Sequence, residues 1–224
     1  MTECEPPIET RRMRADAMRN QARILAAAER LFAERGVDVT LDDVAHAAGV
    51  GVGTVYRRFA NKSELVAEIL DRYVTQLEAN AVEAVRDPDP WSGLTKLLER
   101  SCEHVAGNRG VAIAMTELAD GTTFFDRFEA AVSPAVEDLL HRARVNGEVR
   151  ADVAPSDFFA VISMVHAVAA FADSVRPEIS HRYLALLLDG MRPAETRLPS
   201  PALTMDEVRA ARAALVAIRR RVRQ

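Results

Sequence analysis

Cysteine is scarce in this chain of 224 residues, with only Cys4 in a polar stretch and Cys102 in a helical pattern. Two thiols so placed make neither a disulfide framework nor metal-ligand spacing, and a reducing, cytoplasmic setting is expected. Lysine is just as scarce: Lys62 and Lys96 stand alone, every other basic residue being arginine. No apolar run approaches the roughly twenty residues of a membrane span. The longest candidate, Phe158 to Ala172, is interrupted by Ser163 and His166, so no membrane partner is expected. Met1 to Thr10 is acidic and proline-bearing, which is unlike a signal peptide. Catalytic signatures are missing as well. There is no GxSxG elbow, no glycine-rich phosphate loop after a strand and no HExxH pair, so no catalytic residue, cofactor or metal is expected. Strand-type alternation is also lacking, and the periodic segments all have helical spacing.

What the chain has is a 49% hydrophobic content, ample for a real core, and a formal net charge of −4. That charge is unevenly spread. From Arg11 to Lys62 ten basic residues face six acidic ones, a local excess of the kind a nucleic-acid footprint needs.

Within that basic region Thr40 to Lys62, TLDDVAHAAGVGVGTVYRRFANK, reads as two short helices joined by a tight glycine turn. Counting from Leu41, Ala45 falls where two crossing helices approach closely, and Gly49 falls where the turn needs positive φ. Val44, Val50 and Val55 take the inner faces, and Thr40 with Asp43 approximates a capping box. The second helix, Val52 to Phe59, presents Thr54, Tyr56, Arg57 and Arg58 as donors for phosphates and base edges. Gly51 and Gly53 strip bulk from its first turn and permit close backbone approach.

These residues carry a resemblance. The AAGV turn, the GTVYRRF helix and the NKSEL helix start, preceded by the amphipathic Ala22 to Gly36, are similar to the amino-terminal domain of TetR-family transcriptional repressors. The resemblance covers about Arg19 to Leu70. It implies an all-α fold, with an N-terminal three-helix helix-turn-helix DNA-binding domain followed by a helical ligand-binding and dimerisation domain. It also implies a homodimer on a palindromic double-stranded DNA operator, released by a small-molecule effector. Thr40, Val52, Gly53, Thr54, Tyr56, Arg57, Arg58 and Lys62 are the expected DNA-binding residues, with Tyr56, Thr40 and Lys62 on phosphates. Many members carry Ser and a polar residue where this chain has Gly51 and Val52, which moves expected base readout toward Thr54, Arg57 and Arg58.

The rest of the chain divides by punctuation and period. Residues 1–15 read as a flexible arm, either a DNA-touching arm through Arg11, Arg12 and Arg14 or a solubilising tail. A helix spans Asp16 to Arg35, and the helix-turn-helix domain covers residues 16–62. Asn61 caps a long helix to Arg86, and DPDP at 87–90 breaks the chain. Helices then follow over Trp91 to Ala106, Val111 to Ala119 and Phe124 to Val145, where Pro134 should kink or interrupt the last. Phe158 to Phe171 is apolar around nearly its whole circumference, and Ile179 to Met191 carries one apolar stripe. This pair resembles the family's two-helix dimer face, with Phe159, Val168, Phe171, Tyr183 and Leu187 as expected contacts; two copies make a four-helix bundle. Residues 63–192 form the effector-binding and dimerisation domain, 193–203 a proline-rich linker, and 204–224 a last helix opened by a Thr204 to Glu207 capping box. Val208, Ala211, Leu215 and Ile218 give that helix one stripe. Its Arg219 to Arg221 end is either ordinary dipole chemistry or an added phosphate contact.

A ligand cavity between such helices draws on His104, Met115, Phe125, Phe128, Met164 and His166, each of which also serves as an ordinary core or surface residue. His104, His141 and His166 with Cys102, Glu117 or Asp173 offer a less favoured metal site. Two other readings stay open: a DNA-binding dimer with no effector, and an enzyme or carrier with a vestigial helix-turn-helix.

Overall fold

The computed structural model describes residues 8–106, 121–172, 175–176 and 178–222, and no strand occurs among the described residues. The expected helix over Val111 to Ala119, and with it Met115, lies outside them, as do the side chains of His104, Leu215, Ile218 and the terminal arginines.

Helix α1 spans Ile8–Arg35, beginning eight residues before the expected Asp16, so most of the supposed arm is helical. The reason is compositional: no proline or glycine interrupts the chain between Pro7 and Gly36. A 3-10 turn, Gly36–Asp38, leads to α2, Leu41–Ala48. The capping box is formed: the Thr40 amide donates to Asp43 Oδ2 at 2.9 Å, and the Asp43 amide to Thr40 Oγ1 at 3.1 Å. Gly49 closes α2 with φ 63° and ψ 39°, the left-handed conformation that the sequence position requires. Helix α3 then runs Val52–Arg58. Ile24, Leu25, Ala28 and Phe32 of α1, Val44 and Ala45 of α2, Val55 of α3 and Phe59 beyond it are all buried, which fixes the three helices as one unit. Val50 packs against that core from partial exposure.

Helix α4, Lys62–Val85, is capped by Asn61 Oδ1, which accepts the Glu64 amide at 3.0 Å. Buried residues line it from Leu65 to Ala84 and join one continuous core. The core therefore runs through the expected boundary at Lys62 without a break. Helix α5, Pro90–Ala106, starts with proline, which needs no amide partner there, and Asp89 Oδ1 accepts the Ser92 amide at 3.0 Å. Gly93 sits where α5 crosses its neighbours. A Cβ there would lie 2.5 Å from the Ala84 carbonyl oxygen and 2.9 Å from Leu139 Cδ2.

Helix α6, Gly121–Val145, passes through Pro134 without interruption. Pro134 is exposed, so the carbonyl that loses its amide partner on that side is open to water. Helix α7 is Pro155–Ala172 and α8 is Ile179–Gly190. By length and composition α7, 18 residues with a mean hydropathy of 1.5, is long and apolar enough to cross a membrane, as the core helix of a soluble protein can also be. Its packing gives the apolarity another use. Phe158, Phe159, Val161, Ile162 and Val165 are buried against the protomer's own core.

The linker at 193–203 is fastened down. Arg150 donates to the Thr196 carbonyl at 2.6 Å, Asp152 Oδ2 accepts the Leu198 amide at 2.7 Å, and the Arg192 guanidinium lies 4.1 Å from the Trp91 ring centroid. It delivers α9, Met205–Val222, whose start carries the expected capping box. Val208 is buried, and Arg209 makes a two-pronged ion pair with Glu129 of α6 at 3.1 and 2.7 Å.

Candidate nucleic-acid interface

The candidate surface is built on α3, in which Val55 is buried, with Phe59 buried just beyond it, while Thr54 is half-buried and the other α3 residues are exposed. Val52 and Tyr56 are 45% and 50% exposed, so two large side chains stand in solvent beside exposed Gly53 and Arg57. Thr54 is half-buried, and its Oγ1 accepts from Arg57 Nη2 at 3.4 Å. Nothing lies within 4 Å of a Cβ placed on Gly53, so the fold itself does not require glycine there.

Several donors are committed to carboxylates. The Thr40 hydroxyl gives its hydrogen bond to Asp43 at 2.6 Å. That bond, with the Thr40 amide, holds the Asp43 carboxyl below the usual carboxylate range. Asp42 hydrogen-bonds the Tyr56 hydroxyl and, by this bond and its charge, raises the phenol's pKa. Lys62 is half-buried with Nζ 5.6 Å from the Phe32 ring centroid; burial lowers its pKa, and Asp38 opposes the shift. Arg58 departs from expectation. Its guanidinium turns back toward α4, 3.4 Å from Glu68 Oε2 and 5.1 Å from the Phe59 ring centroid.

The turn has a support that sequence reasoning missed. Arg23 of α1 donates to the Gly49 carbonyl at 3.1 Å, satisfying a group that α2 leaves open at its end. Arg23 lies 26 residues upstream, beyond any periodic signal. Asp42 and Glu68 were likewise invisible as partners, because surface carboxylates on a helix look alike in sequence.

The expected effector residues fare unevenly. Phe125 and Phe128 are buried and meet Phe159 at ring distances of 5.4 and 5.5 Å, with Tyr73 stacked 6.3 Å from Phe128. His166 is half-buried two turns further along α7. Met164 is 45% exposed and belongs to the outer side of α7, because its position places it off the helix face that packs inward. Phe159 is corrected in the other direction: at 3% exposure it is core, not dimer surface. Phe171 is 89% exposed and Tyr183 40% exposed, with Val168 and Leu187 half-buried. His46, His141 and His181 are exposed. Among the described residues no group of three or more His, Cys, Asp or Glu is placed to hold a metal. Cys102 is buried in apolar surroundings, which pushes its thiol up to about 12.

A helix pair joined by a left-handed glycine, with an exposed second helix bearing threonine, tyrosine and arginine, is a helix-turn-helix DNA-binding module; the helical body behind it completes a regulator. Comparison with known proteins agrees. Residues 24–69 match the bacterial regulatory proteins of the tetR family, and residues 89–193 match the C-terminal domain of SbtR-like transcriptional regulators. The solved TetR transcription regulatory protein of Mycobacterium vanbaalenii is 30% identical, covering 81% of this chain and 99% of that one at a TM-score of 0.59. The HTH-type transcriptional regulator TtgR of Pseudomonas putida is 42% identical over 91 residues, which is 39% of this chain and 43% of that protein. The chain thus spans less than half the length of the curated relatives it matches. FadR of Bacillus subtilis, solved in complex with stearoyl-CoA, shares the fold at 18% identity, 76% and 99% coverage and a TM-score of 0.60. The chain belongs to the TetR family and is a DNA-binding transcriptional regulator.

Proposed function

We propose that the protein is a homodimeric repressor that binds a palindromic operator through α3 and leaves it when a small molecule occupies the helical body. The observation that supports the reading is the exposed surface of α3, on which Val52, Gly53, Tyr56 and Arg57 are exposed and Thr54 is half-buried; in this reading Thr54 and Arg57 take bases, and Tyr56, Thr40 and Lys62 take phosphates. Dimerisation is supported by Met164, Phe171, Tyr183 and Leu186, large apolar side chains exposed on α7 and α8 of a single protomer. Release by an effector is supported by the fold shared with FadR, a protein solved with stearoyl-CoA bound. Ligand binding would have to favour a conformation in which the two recognition helices no longer fit successive grooves, with α4 as the lever.

The test is selection of bound duplexes from a random pool, followed by screening metabolites for release. A palindromic consensus and at least one releasing compound are expected; a protein that retards no duplex at low salt returns the enzyme or carrier reading, and one that no metabolite releases or stabilises favours an effector-independent dimer. Lys62→Ala should weaken binding to all sequences alike and flatten the salt dependence, since a phosphate contact carries no sequence information.

A further inference from the structure

Arg58 closes the recognition helix, and its side chain, although 47% exposed, is engaged by the protein's own residues. It stacks over Phe59 and pairs with Glu68 Oε2, while Glu68 Oε1 accepts from Gln21 Nε2 of α1 at 2.6 Å. One carboxylate on α4 therefore holds both the last residue of α3 and the flank of α1. Three residues further along α4, Asp71 forms an ion pair with Arg127 of α6. Both pairs line a single cleft of about 320 Å³, together with Phe59, Glu64 and Ala67. Helix α3 is only seven residues long, with Val55 as its buried residue, so its orientation depends on restraints at its ends.

We propose that Arg58 is a positioning residue and not a DNA contact: with Glu68 it clamps the end of the recognition helix to α4, beside the point where Asp71 and Arg127 clamp α4 to the effector-side helix α6. The inference rests on the DNA-binding reading of α3 and deepens it. An exposed ion pair adds little to stability in general. Its effect is instead on the angle at which α3 meets DNA, and the adjoining α6 pair makes that angle follow α4.

The experiment measures affinity of the full chain for its selected operator across a salt series, for wild type, Arg58→Ala, Glu68→Gln and the outward-facing Arg57→Ala. Each phosphate contact contributes about 0.9 to the log–log salt slope, so a lost contact is visible there. Arg58→Ala should weaken binding about tenfold with the slope and the base preference unchanged, whereas Arg57→Ala, at a side chain assigned to bases, should relax the base preference. Glu68→Gln removes a negative charge, which by itself would favour a polyanion, and should nevertheless weaken binding. A slope reduced by about 0.9 in Arg58→Ala, or an affinity unchanged or raised in Glu68→Gln, overturns the clamp. Circular dichroism checks that each variant is folded, and if Arg58→Ala is not, the sign of the Glu68→Gln effect decides. A wild-type chain that binds no DNA fails the functional reading first, which keeps the two failures apart.

Discussion

Gly53 shows how a single residue separates folding from function. It lies within α3 with open space where a Cβ would go, so Gly53→Ala should stabilise the free protein by about 0.5–1 kcal/mol through helix propensity. The same methyl would stand between the backbone and DNA. Thermal melts and operator titrations should therefore move in opposite directions; a variant both more stable and undiminished in binding would remove close backbone approach from the reading. Asp152 separates two pH regimes. Its bonds from Arg150 and from the Leu198 amide depress its pKa from 3.8 to about 2 in the folded protein. The unfolded state thus binds more protons between those values, and the contribution is fully present above the unfolded pKa and lost as pH falls through the folded one. Asp152→Asn should be less stable than wild type near neutrality and should converge on it toward pH 2, measured as denaturant midpoints across that range.

Among the elements, α5 is positioned by a residue defined by what it lacks. Gly93 lets α5 approach the Ala84 carbonyl and Leu139 more closely than any side chain would, so Gly93→Ala forces α4, α5 and α6 apart. A loss of about 1–3 kcal/mol is expected in denaturant melts, typical of overpacking; an unchanged midpoint would mean that the crossing relaxes freely. Helix positions were legible where local chemistry decides them: both threonine capping boxes, the Asn61 cap and the Gly49 turn follow from neighbouring residues. Misjudgements arose where local signals were weak or overridden. The start of α1 had no punctuation after Pro7, and Pro134 was tolerated because its face is exposed.

For the whole molecule, the decisive surface is the outer side of α7 and α8. Phe171 at 89% exposure touches little within its own protomer, so Phe171→Glu should leave folding nearly intact while charging the proposed dimer face. Sedimentation should report monomers, and operator affinity should collapse to that of a single half-site. A variant still dimeric at micromolar concentration would place the interface elsewhere. Sequence indicated that α7 is apolar all round but assigned its sides only in part. Phe159 was expected outside and Met164 inside, and the fold reverses both. When nearly every position is apolar, periodicity carries no phase, and packing against α5, α6 and α8 decides which side is inner.

The sequence by itself determined the helix-turn-helix, its glycine turn, its caps and the exposure of Tyr56 and Arg57, because each depends on residues a few positions apart. Tertiary structure alone brought Arg58 within 3.4 Å of Glu68, Arg23 to the Gly49 carbonyl, and Asp42 to the Tyr56 hydroxyl. Those choices join different helices. A charged side chain selects its partner from whatever the fold brings within reach, and that neighbourhood is set by core packing, not by spacing along the chain.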